Sequence, residues 1–161
     1  MMILSLLKLI KRHGLRVLFK KALKFRCLNI DSNISISAKI DYDKIECIRL
    51  SSGVKIGDYT LLGVCSQNKE FPNSSLEIGE CTFIGEFNNI RATGGRIIIG
   101  KYCNISQHCS LIASNHSIKR GEYISLQDWD EKRTGITLGD DVWIGANSVV
   151  LPGVRIGNGA V

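Results

Sequence analysis

An aliphatic residue followed by glycine or another small residue recurs every six positions through most of this 161-residue chain. Ile56-Gly57 and Leu62-Gly63 form an early pair. Ile78-Gly79, Ile84-Gly85 and Ile90 follow, then Ile99-Gly100, Ile105-Ser106 and Leu111. Leu138-Gly139, Ile144-Gly145, Val150 and Ile156-Gly157 complete the series. A small or β-branched residue often stands four positions after the aliphatic one, as at Thr60, Thr82, Cys103, Cys109, Val142, Ser148, Val154 and Ala160. A step of six residues rotates an α-helix by about 600°, so these aliphatics cannot share a helical face. Two-residue strand alternation gives no reason for glycine at a six-residue interval. A short strand plus a corner does. Three such units close a triangular coil, and parallel coils stack about 4.8 Å apart through backbone hydrogen bonds. The aliphatic residue points inward, the small residue fits the corner, and glycine or asparagine beside the corner tolerates positive φ. The expected fold is an all-β solenoid, a parallel β-helix.

Two stretches break the period. Residues 64–77 read as a loop or distorted coil, with Pro72 and Asn73 as turn residues. Residues 113–136 form a longer polar and charged insertion that begins beside His116. Long loops on a compact scaffold tend to carry function.

The formal charge of +6 gathers at the start of the chain. Lys8, Lys11, Arg12, Arg16, Lys20, Lys21, Lys24 and Arg26 all precede residue 27, and the remainder is close to neutral. A nucleic-acid-binding domain would spread its cations over one face of the body, so no nucleic-acid partner is expected. Leu4, Leu7, Ile10, Leu15, Leu18, Ala22 and Phe25 lie among these cations at roughly helical spacing. Residues 1–28 therefore read as a basic amphipathic helix, and residues 29–161 as the repeat domain. Lys8 interrupts the apolar run and no small-residue cleavage site follows, which argues against a signal peptide. Packing on the body, an oligomer contact and peripheral membrane association all remain open. No run approaches about 18 uninterrupted apolar residues, so a spanning helix is not expected. Six cysteines without a CxxC pair, in a chain that is not small and cysteine-dense, fit a reducing cytoplasm better than a disulfide framework. Cys81, Cys103 and Cys109 fall within the repeat and read as small apolar fillers. The four N-x-S sequons, at Asn33, Asn73, Asn104 and Asn115, are treated as chance.

The stretch IGKYCNISQHCSLIASNHSI, then the polar loop, then ITLGDDVWIGANSVVLPGVRIGNGAV, resembles the hexapeptide-repeat acyltransferases. It is most similar to the O-acetyltransferases of maltose, galactoside and surface-polysaccharide type, over about residues 50–161. The resemblance implies a left-handed β-helix, a homotrimer with active sites between subunits, and acetyl-CoA as co-substrate. It makes His116, at the start of the extended loop, the general base. It places Trp143, Gly145 and Ala146 at the coenzyme cleft, and Phe87-Asn88 against the acceptor. Members of the family usually continue past the equivalent of Val161, so further coils are expected to be missing here.

The chemistry needs little machinery. A hydroxyl must lose its proton as it attacks the thioester, and a neutral imidazole suits that task. A backbone N–H can stabilise the oxyanion. No covalent enzyme intermediate is needed, so the cysteines need not act as nucleophiles. Asp128, Asp130 and Glu131 are candidates to orient the base, and the sequence does not choose among them. Trp129 and Tyr123 could stack on a sugar face or anchor the loop on a neighbouring subunit. His108, three residues after Ile105, should face outward, either solvated or walling the acceptor cleft. A zinc carbonic anhydrase on the same fold would need three converging histidines. The chain has only His13, His108 and His116, so no metal is expected. The resulting expectation is O-acetylation of a sugar or glycan, in surface-polysaccharide synthesis, in the cytoplasm or at the inner face of its membrane. A serine or antibiotic acetyltransferase and a non-catalytic β-helix scaffold are the alternatives.

Overall fold

The computed structural model describes Phe25, residues 29–64 and residues 74–161. Apart from Phe25, the helix expected over 1–28 lies outside the described residues, as do Pro72 and Asn73. Residues up to Ile30 form one compact unit and Asp31–Val161 another. In the first, the backbone N–H and the side-chain amide of Asn29 both donate to the Phe25 carbonyl, at 3.2 and 2.8 Å.

The second unit winds through five coils of three strands each. The first coil holds β1 (Asn33–Ile34), β2 (Lys39–Tyr42) and β3 (Ile48–Leu50). The second holds β4 (Lys55–Ile56), β5 (Leu61–Val64) and β6 (Ser75–Ile78). The third holds β7 (Phe83–Ile84), β8 (Asn89–Arg91) and β9 (Arg96–Ile99). The fourth holds β10 (Asn104–Ile105), β11 (Ser110–Ile112) and β12 (Ile136–Leu138). The fifth holds β13 (Trp143–Ile144), β14 (Val149–Val150) and β15 (Arg155–Ile156). First strands stack on first, second on second and third on third, giving three parallel five-stranded sheets, here A, B and C. This is a left-handed parallel β-helix.

The register turns the sequence period into columns. Ile34, Ile56, Ile84, Ile105 and Ile144 stack in sheet A. Ile40, Leu62, Ile90, Leu111 and Val150 stack in sheet B. Leu50, Ile78, Ile99, Leu138 and Ile156 stack in sheet C, beside Ile48, Leu76, Ile97 and Ile136. Leu62, Ile84, Ile90, Ile97, Ile105 and Leu111 are fully sealed from solvent. Each such side chain contributes about 1.5–3 kcal/mol relative to an exposed one, so the columns are the main source of stability.

The corners correct two expectations. Glycine after the aliphatic residue does not serve a positive φ. It allows close approach of the next coil, since a Cβ on Gly57 would lie 2.6 Å from the Gly85 carbonyl carbon, and one on Gly79 2.5 Å from Gly100. Positive φ falls two residues later, at Tyr59, Cys81, Phe87, Tyr102, His108, Asp141 and Asn147, and at Gly53, Gly153 and Gly159. A left-handed non-glycine residue costs roughly 1–2 kcal/mol. The strain is offset by a regular bond between coils, as when the Phe87 N–H donates to the Asp58 carbonyl at 2.8 Å and that of His108 to Glu86 at 3.1 Å.

The cysteines at the corners are not simple fillers. The hydroxyls of Thr60 and Thr82 donate to the carbonyls of Gly85 and Gly100, each at 2.7 Å. The buried thiols of Cys103 and Cys109 take the same place and donate to Gly139 and Gly145, each at 3.1 Å. Cysteine thus serves as a weak donor that fills an apolar corner. Burial pushes the Cys103 thiol pKa up and keeps it protonated for that bond. Cys81 departs from the expectation differently, because it is exposed at a left-handed corner.

The two breaks are narrower than the sequence suggests. Strand β5 runs to Val64 and β6 starts at Ser75. Strand β12 starts at Ile136, and Ala113 and Ser114 are still buried in the coil. The Gly135 N–H donates to the Ala113 carbonyl at 2.7 Å and closes the neck of the long loop.

Candidate active site

The long loop leaves sheet B after β11 and returns to sheet C at β12. Ser114 anchors its departure, with a buried hydroxyl that donates to the Thr93 carbonyl at 2.7 Å. The two legs then zip together. The Asp130 N–H donates to the Asn115 carbonyl and the Ser117 N–H to the Asp128 carbonyl, both at 2.8 Å. This pairing sets His116 directly opposite Trp129 in antiparallel register. Their rings stack, with centroids 4.4 Å apart and planes within 20°. The imidazole is therefore exposed to solvent yet held on one face by the indole. Aromatic stacking of this kind is worth about 0.5–1.5 kcal/mol beyond the area it buries.

The loop tip is stapled by Gln127, which is nearly sealed from solvent. Its side-chain oxygen accepts the Lys119 N–H at 2.6 Å. Its amide nitrogen donates to the carbonyls of Lys119 and Glu122, both at 3.0 Å. One side chain thus closes the loop on itself. Nothing in the sequence marks this glutamine among its polar neighbours. Tyr123 stands beside the short 3-10 turn Ile124–Leu126 with 80% of its surface exposed.

One carboxylate near the base does other work. Asp130 accepts the Lys132 N–H at 2.9 Å and so caps the loop's own turn. Among the described residues, no hydrogen bond joins the His116 ring to Asp128, Asp130 or Glu131. The Trp129 stack and the paired backbone orient the imidazole instead.

The other expected site residues lie on different parts of the coil. Trp143 stands half-exposed on sheet A, with its indole N–H donating to the Ser106 hydroxyl at 3.1 Å. Gly145 and Ala146 follow at the exposed corner between sheets A and B. The chain therefore brings His116 and Trp129 together, and presents Trp143, Gly145 and Ala146 from other sides of the triangle.

Asn88 needs correction as an acceptor contact. It is 2% exposed. Its amide nitrogen donates to the Gly85 carbonyl at 2.9 Å and its oxygen accepts the Cys109 N–H at 2.7 Å. The side chain is spent inside the corner, where it takes the place that Thr60 holds in the coil before and Cys109 in the coil after. Its neighbour Phe87 is the exposed one. It sits between Tyr59 and His108 in a stacked column, with centroid spacings of 5.1 and 5.0 Å. His108 thus belongs to the corner between A and B, and His116 to the loop between B and C.

Comparison with known proteins agrees with this architecture. Residues 135–161 match the family described as bacterial transferase hexapeptide (six repeats). Over 81 residues, 41% of this chain and 39% of the relative, the sequence is 28% identical to a chloramphenicol acetyltransferase of Agrobacterium fabrum (strain C58). The same coverage gives 32% identity to a chloramphenicol acetyltransferase of Morganella morganii. A dTDP-4-amino-4,6-dideoxy-D-glucose acyltransferase of Escherichia coli is 26% identical over 137 residues, 82% of this chain and 67% of the relative. Against the chloramphenicol enzymes, the match spans less than half of the relative's length. The repeat period, the three stacked sheets and these matches agree: the fold is that of a left-handed β-helix, and its last coils are similar to the hexapeptide-repeat transferases.

Proposed function

We propose that the protein is an acyl-CoA-dependent acyltransferase that moves an acetyl group from acetyl-CoA to a hydroxyl of a sugar or glycan, with His116 as general base. The observation that carries this reading is the solvent-open imidazole stacked on Trp129 at the zipped base of the one long loop whose legs are both described. In the reaction, an imidazole nitrogen of His116 takes the proton of the acceptor hydroxyl. The hydroxyl oxygen attacks the thioester carbonyl carbon, and the tetrahedral oxyanion collapses with loss of the thiolate. The proton passes from His116 to that sulfur, giving the ester and free CoA. General base catalysis of this kind contributes about 10²–10⁴-fold. Trp129 holds the base and offers an edge to the acceptor.

The protein acts as a homotrimer in this reading. His116 hangs from the B–C corner, while Trp143, Gly145 and Ala146 lie on sheet A and the A–B corner. A neighbouring subunit would close the coenzyme cleft by setting its own A–B corner against this loop. The acetyltransferase and acyltransferase names of the relatives support the coenzyme class. A second reading, antibiotic acetylation, is favoured by the matches to chloramphenicol acetyltransferases.

The test is CoA release from acetyl-CoA with sugars, nucleotide-linked sugars, glycans and chloramphenicol as acceptors. Release that depends on one acceptor class and collapses in His116→Ala supports the mechanism and selects between the readings. Release unchanged in His116→Ala would remove the base from its role. No release with any acceptor would favour a β-helix that serves as a scaffold.

A further inference from the structure

A groove of about 1120 Å³ in the described structure does not include His116 or Trp129. It runs over the outer face of sheet C, between the returning leg of the long loop and the last coil. Arg96, Lys132, Arg133 and Arg155 line it, against the single carboxylate of Glu131. Arg96 already bonds Glu77 at 2.9 Å. Lys132, Arg133 and Arg155 have no acidic partner within 4.0 Å among the described residues. The positions are built in. Arg155 lies on β15, in register with Thr137 of β12, and Ile98 of β9 continues that row. Arg133 is seated against the last coil, where a Cβ added to Gly153 would meet its Cβ at 3.5 Å. Like charges gathered without partners disfavour one another, and an anion relieves that repulsion while taking charge-assisted bonds. Guanidinium groups present planar forks that match phosphate oxygens.

We infer that this sheet C groove is an anion site for a diphosphate-bearing ligand, held by Arg133 and Arg155 with Lys132 and Arg96 at its flanks. Its lining contains none of His116, Trp129, Trp143, Gly145 and Ala146, and binding there does not depend on the proposed transfer. Its wall, Glu131–Thr134, continues directly from Asp130, so an occupied groove also steadies the leg that carries Trp129.

The experiment is calorimetric titration of the full chain with inorganic pyrophosphate at low and moderate salt. It compares the wild type with Arg133→Ala/Arg155→Ala and Arg133→Lys/Arg155→Lys. Lys39→Ala/Lys101→Ala, on other exposed parts of the coil, is the control, and circular dichroism verifies that each variant is folded. The expected result is saturable binding, weakened at least tenfold in the double alanine variant, partly restored by lysine and unchanged in the control. Absence of saturable binding by the wild type overturns the proposal. So does equal weakening in the control. Full binding by the double alanine variant would place the anion elsewhere on the chain, and overturns it as well.

Discussion

Two kinds of corner divide the work of this molecule. The turns from sheet A to B and from C to A keep one length in every coil, as from Ile84 to Asn89 or from Ile99 to Asn104. The turns from B to C do not. They are tight at residues 92–95 and 151–154, and one opens into the excursion 113–135. The constant corners are locked by contacts between coils: glycine against backbone, left-handed residues bonded to the coil before, and threonine or cysteine donating to the coil after. An insertion there would break bonds on both sides. The B–C corner can release chain outward without disturbing the columns, and the candidate base hangs from that edge. The inter-coil locks and the candidate base therefore lie at different corners of the same triangle.

The sharpest test of that division removes the loop. Replacing residues 115–134 with a short glycine linker should abolish acyl transfer while leaving the β-helix folded. Circular dichroism and a melting temperature within about 5 °C of the parent would show this, and a collapse of the fold would break the comparison. Gly100→Ala should do the reverse. Its Cβ would fall on the Gly139 carbonyl, so the coils must part. Overpacking of this kind costs about 1–3 kcal/mol and lowers the melting temperature by at least a few degrees. Gly145→Ala, with nothing within 4 Å of the added Cβ, should leave the melting temperature within a degree or so and serves as the contrast.

A smaller and more local effect is expected from Gln127→Ala. Loss of its three part-buried bonds to the backbone of the exposed residues Lys119 and Glu122, which water can partly replace, costs about 0.5–1.5 kcal/mol. The cost should appear as faster hydrogen exchange over residues 119–127 and slower transfer, with the melting of the coils unchanged. Transfer equal to wild type would mean that the tip does not hold the site.

The smallest effect concerns pH at a constant corner. The hydroxyls of Ser35 and Ser37 donate to the Asp58 carboxylate and hold its pKa below the ordinary value of 3.8. A depressed folded-state pKa stabilises above the unfolded value and loses that contribution as pH falls through the folded one. Asp58→Asn should therefore melt slightly lower than wild type at neutral pH, and the difference should shrink as pH falls below 3.8 and vanish once the folded-state carboxylate is itself protonated. A gap that persists at lower pH would show that the carboxylate charge is not its source.

Much of the scaffold was legible because a solenoid repeats its physics. Each aliphatic at a six-residue step fills one column, so the row from Ile56 through Ile84 to Ile105 could be read from spacing. His116 stood out because it opened the longest break in that period and matched a family pattern. Asn88 could not be read correctly. An asparagine at a corner can face out toward a ligand or turn in to bond Cys109 and Gly85, and the period is the same in both cases. Gln127 was invisible because its partners, the backbones of residues 119 and 122, are set by the path of an irregular loop.

The sequence by itself determined the coil, its three-sided period and the points where the chain must leave it, because those follow from volume and backbone approach repeated at fixed intervals. Only the tertiary structure decided that His116 stacks on Trp129, that Asn88 and the corner cysteines are spent on inter-coil bonds, and that Arg133 meets Arg155 across one groove. Each of those depends on residues brought together from different coils or opposite legs of a loop, and no local periodicity encodes such a meeting.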